Sequence, residues 1–390
     1  MSATVVLVLV AAAVAGLISA VSLFPVRWFA RQLGLLDRPG GHSSHTVPTP
    51  LGGGIGIYLG IVIPILSALA LAWWLQDADR SSALPDVLGG IVPARYWEQA
   101  VLHAPGVWSR SHDMLWLLAA GTFLLFLGLW DDRRGLPVLA RLGCQFAIAA
   151  AVVLGLGIEL TAYLNAGWLT KGLSIVWIVA VINSFNMLDN MDALSGGIAA
   201  IIAASIAAVM LTTPDPGTER PQLLVAALLL VVAGALIGFL FHNRPPASIF
   251  MGDGGSYLVG FLIAVSMLMA TFAGGATSNG SVRPHAILAP LCAMAVPLYD
   301  MTTVIWIRIR EGRSPFQGDH SHLSHRLVAL GLTRTRAVAT VHLITATCGL
   351  SALLLTHVSI LQAITVFGIV ACMLSLVAIL ESTHWREPKS

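Results

Sequence analysis

Long apolar segments follow one another along nearly the whole chain. Eleven of them approach the ~20 residues that a helix needs to cross the hydrocarbon core of a bilayer. They cover residues 3–24, 52–75, 114–130, 142–161, 169–188, 194–213, 222–241, 255–273, 286–306, 337–356 and 359–380. Only 10% of the residues are charged, which excludes an ordinary soluble domain, where about a quarter of residues carry charge. The sequence therefore predicts an all-α, polytopic membrane protein with about 11 transmembrane helices.

The chain gives no sign of division into separate domains. No internal repeat stands out, so we expect a single integral membrane domain over residues 1–390. The first apolar run lacks a basic stretch before it, which favours a spanning helix over a cleaved signal. A formal net charge of +2 gives no reason to expect a nucleic acid partner.

The basic residues predict the orientation. An odd number of spans puts the two termini on opposite sides, and fifteen of the 21 Lys and Arg residues then fall on one side. Cytoplasmic loops carry an excess of Lys and Arg, so we expect the N-terminus outside and the C-terminus in the cytoplasm. The cytoplasmic loops would be 25–53, 131–141, 183–195, 242–256 and 308–336. These loops hold most of the acidic and His-rich motifs, which indicates a site facing the cytoplasm.

One polar stripe stands at the end of an apolar segment. Its members recur every third residue and are Asn183, Asn186, Asp189 and Asp192. Residues three apart are neighbours on a helix surface. Carboxylates and amides at the edge of a membrane span are costly unless they face a cavity, a cation or a partner. A helix cap is the alternative, but a cap needs one such residue, so we expect the stripe to line a binding site.

Two adjacent carboxylates, Asp131 and Asp132, end the third apolar segment. Neighbouring carboxylates repel each other unless a cation is close. Mg²⁺ takes one or two carboxylates together with phosphate oxygens, which makes this pair a candidate metal site. Ion pairing with the following Arg133 and Arg134 is the alternative.

A further carboxylate, Asp253, lies between glycines at the start of the eighth apolar segment. Small neighbours leave its side chain open to a ligand or a metal, whereas a turn with a helix cap is the alternative. Asn243 precedes it in the same loop. In the first loop, His45 and the run Gly52–Gly54 come before a helix whose N–H groups could meet a phosphate, and a plain loop is the alternative.

The last predicted cytoplasmic loop is rich in histidine. Its core holds Asp319, His320, His322, His325 and Arg326. Their spacing fits no standard structural zinc site. His and Arg side chains are suited to donate hydrogen bonds to phosphate and sugar oxygens, so we expect an anionic sugar ligand here. A solvated basic loop is the alternative.

Together, these motifs resemble the polyprenyl-phosphate N-acetylhexosamine-1-phosphate transferases of glycosyltransferase family 4, most of all the undecaprenyl-phosphate GlcNAc-1-phosphate transferases. The resemblance extends over residues 36–327. Residues 183–192 match the nucleotide-site motif, and Asp131–Asp132 match the catalytic aspartate pair. Met251–Asp253 match the metal-site motif, and residues 319–326 match the His-rich loop.

The resemblance implies an activity and its partners. The enzyme would transfer N-acetylhexosamine 1-phosphate, most specifically GlcNAc 1-phosphate, from a UDP-sugar to undecaprenyl or another polyprenyl phosphate, and it would release UMP. This is a phosphoglycosyltransferase reaction at the first membrane step of lipopolysaccharide or cell wall synthesis. The cofactor would be Mg²⁺, with Mn²⁺ as an alternative. The protein would lie in the bacterial inner membrane, and a homodimer is an open alternative to a monomer.

The resemblance also implies roles for the motif residues. The catalytic residues would be Asp131, Asp132 and Asp253. Asp253 and one member of the pair, assigned as Asp131 with Asp132 as the open alternative, would contact the metal, and the other member would orient or deprotonate the acceptor. The nucleotide would contact Asn183, Asn186, Asp189 and Asp192. The diphosphate and sugar would contact His45, Asn243, Asp319, His320, His322, His325 and Arg326.

Three positions depart from the family pattern, and two alternative functions stay open. The chain has His42–Ser43 where Arg-Lys is usual, Arg141 where Lys is usual, and Ser324 where one of two adjacent histidines is usual. A phospho-MurNAc-pentapeptide translocase is the nearer alternative, and the His-rich loop disfavours it. A secondary transporter that uses intramembrane carboxylates is an alternative of another class, and the clustering of acids at one membrane face disfavours it.

Overall fold

A computed structural model describes residues 2–37, 48–77, 92–160, 166–214, 221–270, 272, 284–316, 318–319 and 321–384. Within these residues the chain forms fourteen α-helices. They are α1 Ala3–Gln32, α2 Gly53–Trp74, α3 Ala94–Ser109, α4 Ser111–Arg134, α5 Val138–Leu156, α6 Gly167–Leu188, α7 Leu194–Thr212, α8 Leu223–Asn243, α9 Gly252–Met269, α10 Ala289–Ala293, α11 Ala295–Arg310, α12 Leu323–Ala329, α13 Arg334–Leu355 and α14 Ile360–His384.

The predicted membrane architecture is confirmed. Over the described ranges, ten helices are long and apolar enough to cross a bilayer, and a bent pair makes the number eleven if it counts as one span. The bent pair corresponds to the predicted segment 286–306. Its two parts, His285–Ala293 and Ala295–Arg310, meet at 65°. Pro297 explains the break, because a proline cannot donate a hydrogen bond to the carbonyl four residues before it.

Helix α9 lies in the centre of the bundle, between α4 and α6. Gly128 of α4 approaches so closely that a β-carbon there would lie 2.3 Å from the backbone nitrogen of Gly254. A β-carbon on Gly260 would lie 2.8 Å from the α-carbon of Ile182 in α6. These contacts bring the end of α4, the end of α6 and the beginning of α9 together, which is where the predicted site residues cluster.

A small sheet, which the sequence analysis did not predict, attaches the first predicted loop to the segment before α9. Strand β1, Leu36–Asp37, pairs antiparallel with β2, Thr49–Pro50. The backbone of Phe250 then donates to the Pro50 carbonyl at 2.9 Å, and Gly53 donates to the Phe250 carbonyl at 2.8 Å. The start of α2 is thereby held against the segment that leads into α9.

Candidate active site

A cavity of about 1050 Å³ lies where α4 and α6 end and α5 and α9 begin. Residues 318–326, which form the His-rich segment, also contribute to its wall. The predicted site residues on its wall are Asp132, Asn183, Asn186, Asp189, Asp192, Asn243, Asp253, Asp319, His322 and His325. The structure thus brings four of the five predicted loops to one cavity through predicted residues. His45 and His320 lie outside the described residues, as does His42–Ser43.

Asp132 and Asp253 are joined directly. Asp132 Oδ1 accepts a hydrogen bond from the Asp253 backbone N–H at 2.9 Å, so a carboxylate from α4 caps the positive N-terminus of α9. Gly252 makes this approach possible, because its φ is +70° and a β-carbon would lie 2.6 Å from Asp132 Oδ2. The Asp253 side chain is therefore not the cap, and Asn186 Nδ2 donates to its Oδ1 at 2.6 Å.

Asp131 has a different set of hydrogen-bond partners. Its Oδ1 accepts from the Leu136 N–H at 2.7 Å, and its Oδ2 accepts from Arg141 Nη1 at 2.8 Å and from the Tyr257 hydroxyl at 2.9 Å. It is not among the residues on the cavity wall, whereas Arg141 is. Three donors already occupy its oxygens, so this geometry gives the expected metal contact of Asp131 no direct support.

The Arg141 guanidinium joins the two carboxylate environments. Besides Asp131, it reaches Asp253, with 3.9 Å between Nη1 and Oδ2. The basic partner of the aspartate pair is thus a residue of the next helix, not the adjacent Arg133 or Arg134 considered above. A guanidinium on the cavity wall offers planar N–H donors that match phosphate oxygens.

The polar stripe is helical only in its first half, because α6 ends at Leu188. Asn183 Nδ2 donates to Gln145 Oε1 at 2.6 Å, which fixes the Asn183 amide against α5. Asp189 lies just beyond the helix. Burial, and next the charge of Asp253, raise the pKa of Asp189 to about 7.

Asp192, in the second half of the stripe, binds the loop between α8 and α9. Asp192 Oδ2 accepts from the Ala247 N–H at 2.9 Å. Asn243 is buried, and both ends of its amide are used: Oδ1 accepts from the Ala193 N–H at 2.8 Å, and Nδ2 donates to the Ile249 carbonyl at 2.8 Å. Ala193 has φ 63°, a left-handed conformation that costs an L-residue energy. These bonds hold the turn between α6 and α7 at the cavity.

Asp319 organises the His-rich segment. It accepts from Arg308 Nη2 at 3.0 Å, Arg313 Nη1 at 2.7 Å and the Ser321 hydroxyl at 2.7 Å. Burial by itself raises its pKa, but the hydrogen bonds from Arg308 and Ser321 outweigh burial and hold the pKa of Asp319 well below its usual range. The segment is therefore a folded unit with an ionised centre, not a solvated basic loop.

His322 is oriented from behind by a residue that the sequence analysis missed. Its Nδ1 lies 2.8 Å from Asp300 Oδ2, and the Leu323 N–H donates to Asp300 Oδ1 at 2.6 Å. Asp300 is fully buried. A carboxylate only accepts hydrogen bonds, so the Asp300 carboxylate favours the tautomer of His322 that carries a proton on Nδ1. The available signal was a lone acid within the predicted span 286–306.

Two other side chains of the His-rich segment contact neighbouring parts of the protein. Arg326 is not on the cavity wall, and its Nε lies 3.1 Å from Glu381 Oε2 in α14. Ser324, where the family usually has histidine, donates to Asn190 Oδ1 at 2.7 Å. That bond ties α12 to the turn after α6. The expected contact of Arg326 with diphosphate has no direct support in this geometry.

The donor set fits a metal that shares its ligands with a substrate. In the part of the chain that the structure describes, no three His, Cys, Asp or Glu side chains are grouped closely enough to hold a metal ion by themselves. Asp132, Asp189 and Asp253 nevertheless line one cavity. Mg²⁺ binds through one or two carboxylates, several waters and substrate phosphates, and such a site needs no protein cage.

One wall of the cavity is apolar and reaches the lipid-facing surface. It comprises Leu142, Phe146, Val176, Val179, Ala180, Met301 and Ile305. Phe146 and Val176 are exposed, on helices that are long and apolar enough to span a membrane. The cavity therefore has a polar end with carboxylates, amides and imidazoles, and an apolar side suited to a hydrocarbon chain.

Comparison with known proteins agrees with this geometry. The model of glycosyl transferase family 4 matches residues 114–271. A decaprenyl-phosphate N-acetylglucosaminephosphotransferase of Mycobacterium tuberculosis is 31% identical over 334 residues, which cover 82% of this chain and 75% of that protein. A probable undecaprenyl-phosphate N-acetylglucosaminyl 1-phosphate transferase of Bacillus subtilis is 26% identical over 379 residues, covering 95% and 91%.

A third relative is the undecaprenyl-phosphate alpha-N-acetylglucosaminyl 1-phosphate transferase of Escherichia coli K12. It is 28% identical over 323 residues, which cover 81% of this chain and 75% of that protein. These similarities extend well beyond the motifs that line the cavity. The chain belongs to glycosyl transferase family 4.

Proposed function

We propose that this membrane enzyme transfers GlcNAc 1-phosphate from UDP-GlcNAc to a polyprenyl phosphate and releases UMP. The observation that carries the proposal is the cavity itself, in which Asp132 and Asp253 lie beside both a polar end and an apolar wall. A nucleotide sugar suits the polar end, and a prenyl chain suits the apolar wall. The relatives are named as transferases of N-acetylglucosamine phosphate to undecaprenyl or decaprenyl phosphate, and these names support the same pair of substrates.

The proposed reaction does not require a strong general base. An oxygen of the acceptor phosphate forms a bond to the sugar-bearing phosphorus of the donor, and the bond from that phosphorus to the UMP oxygen breaks. A phosphate monoester has its second pKa near 6, so the attacking oxygen is already largely ionised at neutral pH. The protein's main tasks are to align the two substrates and to balance the charge of their phosphates.

The three aspartates have different tasks in this proposal. Asp253 and Asp132 would hold Mg²⁺, or Mn²⁺ in its place, and a bound divalent ion neutralises the charge that develops on phosphate oxygens. Asp131 would act behind them, since it fixes Arg141 at 2.8 Å and so presents that guanidinium to a phosphate. This division replaces the expectation that Asp131 itself binds the metal.

The remaining polar groups suit the donor. Asn183 and Asn186 present amides of fixed orientation on α6, and Asp189 extends this side of the cavity. A nucleobase and ribose can be recognised by such amide and carboxylate groups. On the opposite side, His322 and His325 would donate to the diphosphate or the sugar. The cavity would then hold the nucleotide near α6 and the sugar near α12.

The basic residues suggest the side of the membrane. The polar end of the cavity is built from the segments that carry most of the Lys and Arg residues, and cytoplasmic loops carry such an excess. We therefore place the active site at the cytoplasmic face of a bacterial inner membrane, with the N-terminus outside. Water-soluble UDP-GlcNAc would enter from the cytoplasm, and the lipid would enter from the bilayer.

The release of UMP by purified enzyme tests the proposal. UMP should appear from UDP-GlcNAc only when both polyprenyl phosphate and Mg²⁺ are present. Parallel reactions with UDP-MurNAc-pentapeptide and UDP-GalNAc test the donor. Turnover of the pentapeptide donor alone would assign the translocase reaction instead. UDP-GlcNAc uptake into vesicles without any UMP would assign a transporter.

A further inference from the structure

A buried ion pair connects the His-rich segment to the C-terminal helix. Arg326 of α12 and Glu381 of α14 are 7% and 6% exposed, and Nε of the arginine lies 3.1 Å from Oε2 of the glutamate. Neither residue lines the cavity. The two members are 55 residues apart in the chain, so the pair is a tertiary contact that fixes α12 relative to α14.

Helix α11 completes the pair and connects it to the active site. The Tyr299 hydroxyl donates to Glu381 Oε2 at 3.1 Å, and Arg326 Nη2 donates to the Thr303 hydroxyl at 3.1 Å. Asp300, adjacent to Tyr299, is the carboxylate that orients His322. The same turn of α11 therefore holds both His322, at the beginning of α12, and Arg326, one turn further along.

Packing alone does not account for this arrangement. Taking two charges out of water costs free energy, and well-packed apolar side chains of similar volume often stabilise a fold as well or better. Nor is the pair fully satisfied, since neither Glu381 Oε1 nor Arg326 Nε has a hydrogen-bond partner among the described residues, and the 3.1 Å approach is an ionic contact without hydrogen-bond geometry. The ion pair, together with the Tyr299–Glu381 and Arg326–Thr303 hydrogen bonds, ties α12 and α14 to the same turn of α11 and so restricts the rotation of α12 about its axis. His322 and His325 reach the cavity from this helix and from its cap.

We propose that Glu381 is a positioning residue for donor binding: by holding Arg326, it sets α12 so that His322 and His325 face the nucleotide sugar. The C-terminal helix α14 is then part of the active-site architecture, although none of its described side chains, up to Glu381, lines the cavity. This inference rests on the proposed function in one respect, namely that the ligand facing α12 is the donor.

The test combines one measurement that needs no substrate with one that does. Hydrogen–deuterium exchange of the full-length protein reports on the backbone of residues 321–329. Steady-state kinetics give kcat and separate KM values for UDP-GlcNAc and polyprenyl phosphate. The variants are Glu381→Ala, Glu381→Gln, His322→Ala and the double variant Glu381→Ala with His322→Ala. Leu376→Ala is the matched control, because Leu376 is on the same helix and 57% exposed.

Glu381→Ala should speed exchange in residues 321–329 and raise the donor KM about tenfold, because Arg326 then loses its buried counter-charge and α12 is held less firmly. The kcat and the acceptor KM should change by less than about twofold, because the metal-site carboxylates are untouched. Glu381→Gln can still accept the hydrogen bond from Tyr299 and loses only the charge that faces Arg326. Its effect should therefore be smaller, and it covers the case in which the alanine variant does not fold. The double variant should resemble His322→Ala alone.

Three results would overturn the inference. One is unchanged exchange in residues 321–329 in both Glu381 variants. Another is an equal rise of both KM values, which would indicate a general loss of structure. The last is full additivity of Glu381→Ala and His322→Ala. Failure of the proposed function is distinguishable, because wild-type enzyme would then turn over no UDP-GlcNAc while the exchange measurement would still report whether Glu381 fixes α12.

Discussion

The Asp132 side chain accepts a hydrogen bond at 2.9 Å from the backbone N–H of Asp253. The carboxylate near the end of α4 thus binds the first turn of α9, and this contact holds Asp253 beside Asp132. Gly252 leaves room for this contact. The relationship means that the two carboxylates are positioned by the packing of α4 against α9 and not by a flexible loop.

Asp253→Asn should abolish turnover while leaving the protein folded. The amide keeps the size of the side chain and can still accept from Asn186, but it binds a divalent cation poorly. Loss of charge balance at the transferring phosphate should lower kcat by at least about 100-fold. Rates of UMP release by detergent-purified protein measure this. The control is Asp113→Asn, at the opposite end of α4, which should keep the wild-type rate. A kcat within threefold of wild type in Asp253→Asn would remove this residue from the metal site.

The two adjacent aspartates should give different kinetic signatures. Asp132→Asn should lower kcat with little change in the donor KM, because Asp132 faces the reacting phosphates. Asp131→Asn removes the charge that holds Arg141, and it should raise the donor KM in addition to lowering kcat. Steady-state kinetics over a range of UDP-GlcNAc concentrations separate the two effects. Identical changes in both variants would show that the aspartates act as one unit.

Gly252→Ala should both destabilise the protein and inactivate it. An alanine at φ +70° costs about 1–2 kcal/mol, and here its β-carbon would also displace Asp132. Gly34→Ala is the matched control, because Gly34 has φ +68° with nothing within 4 Å of the added carbon. Melting temperature in detergent and kcat should both fall in Gly252→Ala, whereas Gly34→Ala should lose stability only. Equal activities of the two variants would mean that Asp132 tolerates displacement.

Stabilisation by Mg²⁺ should depend on pH through Asp189. Its pKa is raised from 3.8 to about 7, so without metal the folded state favours the protonated acid. That contribution to stability is fully present below about pH 4 and is lost as the pH rises through about 7. A divalent cation favours the ionised form. The rise in melting temperature on adding Mg²⁺ should therefore be larger at pH 8 than at pH 6.

Asp189→Asn provides the comparison for this pH effect. The amide does not ionise, so the difference between the two pH values should shrink in this variant. Asp113→Asn should keep the wild-type difference, because its side chain is remote from the cavity. A wild-type protein that Mg²⁺ stabilises equally at pH 6 and pH 8 would contradict the assignment.

Much of the fold is predictable because the bilayer imposes a length and a polarity on each span. The segment at 286–306 shows where that reasoning stops: hydropathy measures length but does not report that Pro297 breaks the helix and turns it by 65°. The pairing of β1 with β2 was equally invisible, since two-residue strands have no periodicity to detect.

The site was predictable at the level of which motifs meet, but not at the level of what each side chain faces. The three-residue spacing predicted that Asn183 and Asn186 share one helix face. It did not predict that α6 ends before Asp189, because that end depends on local backbone structure. The adjacency of Asp131 and Asp132 in the sequence does not reveal that the two carboxylates bind different partners. Asp300 is a single acid within an apolar segment, and Glu381 directly follows another. Their partners, His322 and Arg326, are distant in sequence, so only tertiary structure assigns them.

The most direct test of the central claim is the mass of the lipid product. Purified enzyme is incubated with UDP-GlcNAc, undecaprenyl phosphate and Mg²⁺, and the lipid extract is analysed by mass spectrometry. The account predicts undecaprenyl-diphospho-GlcNAc, formed in equal amount to UMP and absent from reactions with Asp253→Asn. A lipid that carries the sugar through a single phosphate, with UDP as the other product, would contradict it.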